Sequence, residues 1–127
     1  SYGKNLGLTF QIADDTLDYN SELKLFGKKI GNDFYEGKIT LPIIILFQKI
    51  KDEEKEYIKK VFNKRIRTSK DLNTVLELIK KYNVIKDCYK KAEYFINIAS
   101  NSLNIFEKSK EKEMLKKLTY FSLERTF

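Results

Sequence analysis

The stretch YGKNLGLTFQIADDTLDY, residues 2–19, sets Asp14, Asp15 and Asp18 within five positions of a segment that otherwise has a helical repeat. Over residues 4–20 apolar or small side chains return at Leu6, Phe10, Ala13 and Leu17, the spacing of one helix face. On such a helix Asp14 and Asp18 point the same way, with Asp15 one step round the turn. Like charges so placed cost roughly 0.2–0.5 kcal/mol per pair. Three acids on a helix usually form a solvated face, so the residues around them decide whether a cation belongs there.

Beyond the acids the repeat stops. SELKLFGKKIGNDFYEGK, residues 21–38, carries Gly27, Gly31 and Gly37, which punctuate a loop and allow close backbone approaches. The pattern predicts that 21–40 is the longest irregular stretch of the chain. In TLPIIILFQKI, residues 40–50, Thr40 can cap a helix that Leu41 starts, and Pro42 sits in the first turn, where its missing N–H costs nothing. The β-branched run Ile43 to Ile45 also suits a strand, but no second candidate strand exists to pair with it. The helix reading leaves Leu41, Ile43, Ile44, Ile45, Leu46 and Phe47 without a polar face. Such a helix needs burial on all sides, and the rest of the chain can hardly surround it.

Four amphipathic helices are expected downstream, each able to pack one face. The first runs from Asp52 through Tyr57, Ile58, Val61 and Phe62. Thr68 and Asp71 form a capping pair for the second, with Leu72, Val75, Leu76, Ile79 and Tyr82. The third uses Ile85, Cys88, Tyr89, Ala92, Ile96, Ala99 and Leu103, and the last runs from Lys110 through Leu115, Leu118 and Phe121 to Arg125. The fold class is therefore all-α, without repeat, linker or low-complexity segment.

Composition agrees. The chain has 127 residues, 42% of them hydrophobic and 34% charged, enough for one domain with a real core and solvated outer faces. The single Cys88 excludes an internal disulfide, and the absence of histidine excludes a His-based triad or zinc site. The lone Met114 lies far from the start and no charged-then-apolar leader precedes Ser1, so a signal peptide is not expected and an intracellular chain is. The net charge of +7 raises nucleic acid or an acidic membrane as partners. Its lysines, however, come as doublets such as Lys59–Lys60, Lys80–Lys81 and Lys90–Lys91 on outer helix faces, which reads as a solvated basic surface and not a nucleic-acid site.

The loop supplies what the acids lack. Within about 25 residues a carboxylate cluster on a helix gives way to a glycine-rich segment with Lys28, Lys29 and Lys38. Carboxylate oxygens suit Mg²⁺, which keeps several waters and bridges one or two protein carboxylates to substrate phosphates. Lysines can meet the phosphate oxygens. Together these groups describe a magnesium–diphosphate site.

The order of the residues is specific as well. Gly7, Phe10, Gln11, Asp14, Asp15, Leu17 and Asp18, then Gly27, Lys28, Gly31, Asp33, Glu36, Gly37, Lys38, Thr40, Leu41 and Pro42 follow the pattern GxxFQxxDDxLD and GKxxGxDxxEGKxTLP. This resembles the second aspartate-rich motif and following loop of the trans-isoprenyl diphosphate synthases, the polyprenyl synthetase family. The loop looks most like that of the long-chain members, such as octaprenyl diphosphate synthase, which make quinone side chains.

The resemblance implies the C-terminal portion of the isoprenoid synthase helical bundle over residues 1–127, and a prenyltransferase that joins isopentenyl diphosphate to an allylic diphosphate. Asp14 would bind Mg²⁺, with Asp15 and Asp18 acting through metal-bound water. Lys28 and Lys38 would hold the diphosphate, Lys29 competing for the place of Lys28, and Phe10 and Gln11 would line the cavity. The family's first aspartate-rich motif is missing, so the chain by itself is expected to be inactive. It needs an N-terminal half or an oligomeric partner. The alternative is a non-catalytic accessory or decayed helical subunit that binds a complete synthase. A cytoplasmic location is expected, with at most peripheral membrane contact through the lipid product.

Overall fold

Residues 2–20, 30–105 and 109–126 are described by the computed structural model. The candidates Lys28 and Lys29, with Gly27, lie outside the described residues. Among the described residues there are seven α-helices and no strand: α1 Tyr2–Leu17, α2 Asn32–Tyr35, α3 Leu41–Lys49, α4 Asp52–Asn63, α5 Ser69–Lys81, α6 Val84–Ser102 and α7 Lys110–Thr126, with a 3₁₀ turn at Leu103–Ile105. The sequence boundaries of the long helices hold to within a few residues. The one-turn α2 inside the expected irregular stretch was not foreseen.

The chain divides into two compact units, Ser1–Asp14 with Tyr89–Phe127, and Asp15–Cys88. In the second unit α3 packs on α5, and the core comprises Tyr19, Phe34, Ile43, Leu46, Ile58, Val61, Leu72, Val75, Ile79, Val84 and Cys88. Rings are layered within it: Phe34 meets Phe62 edge-on at 5.5 Å between centroids. Helix α5 starts with the expected box, Asp71 N–H donating to Thr68 Oγ1 at 3.2 Å while Thr68 N–H donates to Asp71 Oδ2 at 3.0 Å. Helix α3 departs from expectation at its cap. Thr40 occupies the N-cap position, yet its hydroxyl is buried and makes no cap bond. The Thr40 carbonyl accepts the N–H groups of Ile43 and Ile44 instead. Pro42, Ile43 and Leu46 are buried and Leu41, Ile45 and Phe47 half-buried, whereas Ile44 remains 45% exposed, so part of this apolar helix is left uncovered among the described residues.

In the first unit Thr9, Ile12, Ala13, Ala92, Ile96, Ala99 and Leu103 are buried. The small side chains allow close helix approach: Thr9 Oγ1 lies 3.4 Å from the Ala92 carbonyl oxygen while donating to Asn5 O at 3.0 Å. Tyr2 Oη and Thr119 Oγ1 share a hydrogen bond of 2.7 Å, tying α7 to the start of α1. Because Thr119 and Lys112 face inward, the apolar positions of α7 do not: Met114, Leu115, Leu118 and Phe121 are exposed, Leu118 by 54%. The packed stripe expected there is turned outward.

Candidate functional site

Helix α1 ends at Leu17, and the chain turns through Tyr19 N–H to Thr16 O at 3.0 Å. Asp18 then becomes an anchor. Its main-chain oxygen accepts Gly31 N–H at 2.9 Å, and its carboxylate oxygens accept Asn32 N–H at 2.9 Å and Asp33 N–H at 2.8 Å. Three successive N–H groups that would be orphans at the start of α2 are thus satisfied by one residue. Gly31 makes this approach possible with φ +89°, where a Cβ would lie 2.6 Å from Leu72 Cδ2.

At the other end of α2, Gly37 N–H donates to Phe34 O and Lys38 N–H to Asp33 O, both at 2.9 Å. With Gly37 at φ +74° this is a Schellman motif, whose left-handed residue is normally glycine. Lys38 leaves the motif exposed to solvent.

Arg67 completes the arrangement. It is 8% exposed, and its guanidinium donates from Nε to Phe34 O at 2.8 Å, from Nη2 to Tyr35 O at 3.3 Å, and from Nη1 to Lys64 O at 2.7 Å and Val61 O at 3.5 Å. One cation therefore gathers carbonyls at the C-terminal ends of both α2 and α4, where the helix dipoles also favour it. The segment carrying it is pinned by Lys64, whose Nζ reaches both oxygens of Asp71 at 3.0 Å. Bonds from Thr68 N–H and Lys64 hold the Asp71 carboxyl below the usual carboxylate range. Tyr19 is 1% exposed. Burial holds its hydroxyl above the ordinary phenol range, reinforced by Asp18, Asp33 and Asp15 and opposed by Arg67.

The other candidates are surface groups. In the first unit Asp14 is exposed, and no hydrogen bond or ion pair engages it among the described residues. Phe10 is 43% exposed and Gln11 is exposed. Gly3 and Gly7 have open space where a Cβ would stand, so one face of α1 presents Gly3, Gly7, Phe10, Gln11 and Asp14 outward. In the second unit Asp15 is half-buried. Among the described residues no group of three His, Cys, Asp or Glu side chains could hold a metal ion. Asp14 is a hard, solvent-facing oxygen donor, of the type that suits a divalent cation held mainly by water and phosphate oxygens. Sequence reasoning missed Arg67 and Tyr19. The available signal for Arg67 was its rarity, one of three arginines among 25 basic residues.

Comparison with known proteins gives a consistent answer. The family model for polyprenyl synthetase matches residues 1–79. The all-trans-nonaprenyl-diphosphate synthase (geranyl-diphosphate specific) of Rhodobacter capsulatus is 32% identical over 126 residues, 98% of this chain and 38% of that protein. The geranylgeranyl diphosphate synthase of Sulfolobus acidocaldarius is likewise 32% identical over 126 residues, with the same coverage. The crystal structure of polyprenyl synthase from Caulobacter crescentus CB15, complexed with calcium and isoprenyl diphosphate, superposes with a TM-score of 0.87 at 33% identity, covering 99% of this chain and 38% of that one. The chain thus spans well under half the length of these relatives. No helix among the described residues is long and apolar enough to cross a membrane.

Proposed function

This chain belongs to the polyprenyl synthetase family, and we propose that it is the C-terminal part of a prenyltransferase, supplying the second magnesium–diphosphate motif. The reaction would break the allylic carbon–oxygen bond, form a carbon–carbon bond to isopentenyl diphosphate and release a proton. Asp14 would hold Mg²⁺, which when bound stabilises charge on the departing diphosphate. Asp18, with its lone pairs partly used by main-chain N–H groups, would reach the metal only through bound water, as would Asp15. Lys38 would meet the diphosphate oxygens together with Lys28, or with Lys29 in its place. Phe10 and Gln11 would line the cavity. Relatives of this similarity include both long-chain and shorter-chain synthases, so the reading covers prenyl diphosphate products without fixing their length, and cytoplasmic work with at most peripheral membrane contact accompanies it.

The observation that carries it is the position of the family match. Residues 1–79 contain every candidate from Phe10 to Lys38, in a chain that spans 38% of its relative. The decisive experiment combines the 127-residue chain with the segment of the Rhodobacter capsulatus relative that precedes the aligned region. Labelled isopentenyl diphosphate should be incorporated by the complex in Mg²⁺ and by neither part alone. Steady incorporation by the purified chain would refute the need for a partner. Equal activity of Asp14→Ala and the surface control Lys90→Ala in the complex would refute the metal role. The outward apolar residues of α3 and α7 also suit a second reading, a non-catalytic helical subunit bound to a complete synthase. An adjacent upstream reading frame containing a first aspartate-rich motif favours the enzyme part, and its absence favours the subunit.

A further inference from the structure

We propose that Arg67 is a positioning residue for diphosphate binding: by joining the C-terminal ends of α2 and α4, its guanidinium fixes the peptide from which Lys38 emerges. The inference rests on the reading of Lys38 as a diphosphate contact.

The physical case starts from α2, a single turn of four residues. A helix of that length does not persist on its own, so its ends must be held from outside. Asp18 holds the N-terminal end. At the C-terminal end the Schellman motif already pairs Phe34 O with Gly37 N–H, and Arg67 adds a second donor to that oxygen and reaches Tyr35 O as well. Its remaining bonds go to Lys64 and Val61, so the loop is referenced to α4 and not merely to itself. The guanidinium also occupies the space beside Gly37: a Cβ there would lie 2.6 Å from Nη2 and 2.9 Å from Cζ. An arginine pinned by several carbonyls cannot swing aside as a solvent-exposed side chain would. Gly37 is the residue before Lys38, and the Lys38 N–H is itself part of the motif. Loss of the fork therefore frees the peptide that aims the lysine. Lysine cannot replace it, because one ammonium nitrogen cannot direct donors at carbonyls as separated as Phe34 O and Lys64 O, which the rigid fork meets with different nitrogens.

Two measurements separate this inference from the reading beneath it. In the 127-residue chain, amide hydrogen exchange at Gly37 and Lys38 should accelerate by about tenfold or more in Arg67→Ala and Arg67→Lys, while Val75 and Ile79 in α5 stay protected. In the complex with the N-terminal segment, Lys38→Ala should lose about ten- to a hundredfold in kcat/KM, the loss of one charge-assisted phosphate contact. Arg67→Ala should lose a similar factor, and the double variant should be no worse than Lys38→Ala. Ethylguanidinium, but not ethylammonium, should restore part of the activity of Arg67→Ala and none of that of Lys38→Ala. If Arg67→Ala does not fold, Gly37→Ala perturbs the same contact from the loop side and should reproduce the exchange and kinetic effects. An insensitive Lys38→Ala would overturn the diphosphate reading. A sensitive Lys38 with unchanged exchange in Arg67→Ala, or with losses that multiply in the double variant, would overturn the positioning role alone.

Discussion

Removing the Asp18 carboxylate strips Asn32 N–H and Asp33 N–H of their acceptor, a loss comparable to that of a helix N-cap. Asp18→Ala should therefore destabilise the chain by about 0.5–2 kcal/mol, with Asp18→Asn in between. Asp14 has no such duty among the described residues, and Asp14→Ala should change stability by no more than about 0.5 kcal/mol. Turnover in the reconstituted complex should show the reverse order, with Asp14→Ala the more damaging. Urea melts of the chain set beside kcat of the complex test both halves, and a stability loss in Asp14→Ala equal to that in Asp18→Ala would contradict the division. Spacing alone grouped these two acids, since four residues on a helix place them on one face. The division of labour between them was illegible because the partners of Asp18 lie 14 and 15 residues away, and nothing in a local pattern records a cap closed over that distance. Arg67 was hidden for the same reason: its acceptors are carbonyls, which every residue has.

Helices were the readable level, and their orientation was not. The repeats located α4, α5 and α6 and their buried sides, because Ile58, Val61, Leu72, Val75, Ile79, Ala92 and Ile96 lie on stripes with polar opposite faces. For α7 the same rule placed Leu115, Leu118 and Phe121 inside, whereas Thr119 and its bond with Tyr2 turn that stripe outward. Periodicity identifies an apolar face but not which surface will cover it. Leu118→Ala should accordingly move the stability of the chain by no more than about 0.5 kcal/mol, while Ile96→Ala should cost about 2–5 kcal/mol. Phe34 on the one-turn α2 is fully buried, and Phe34→Ala should cost about 3–5 kcal/mol. The contrast is measured by urea unfolding of the three variants. A Leu118→Ala penalty as large as that of Ile96→Ala would mean that α7 packs its apolar face in the chain alone.

For the molecule as a whole, the family and the all-α fold were legible because the two motifs are dense and ordered, whereas apolar residues such as Ile44, Leu118 and Phe121 are left outward. Stability has a whole-molecule pH signature that needs no partner. Burial pushes the Cys88 thiol from 9.0 up to about 11, with a hydrogen bond to Thr16 opposing the shift and Asp87 and Asp15 adding to it. Tyr19 is raised from 10.0, chiefly by burial. At pH 8 and below both groups are protonated, folded or unfolded, and their contribution is fully present. Above it the unfolded chain releases protons that the folded chain keeps. The folded state then binds more protons, so stability falls as pH rises, by at most about 1.4 kcal/mol per pH unit for each group. Tyr82, raised first by its hydrogen bond to Glu54, titrates in the same sense and supplies a residual slope. Urea midpoints should therefore decline between pH 8 and pH 10.5, and the decline should be shallower in Cys88→Ala and Tyr19→Phe whatever their stability at pH 8. If both variants keep the slope of the parent chain, buried ionisation in the Asp15–Cys88 unit is not the source of its alkaline lability.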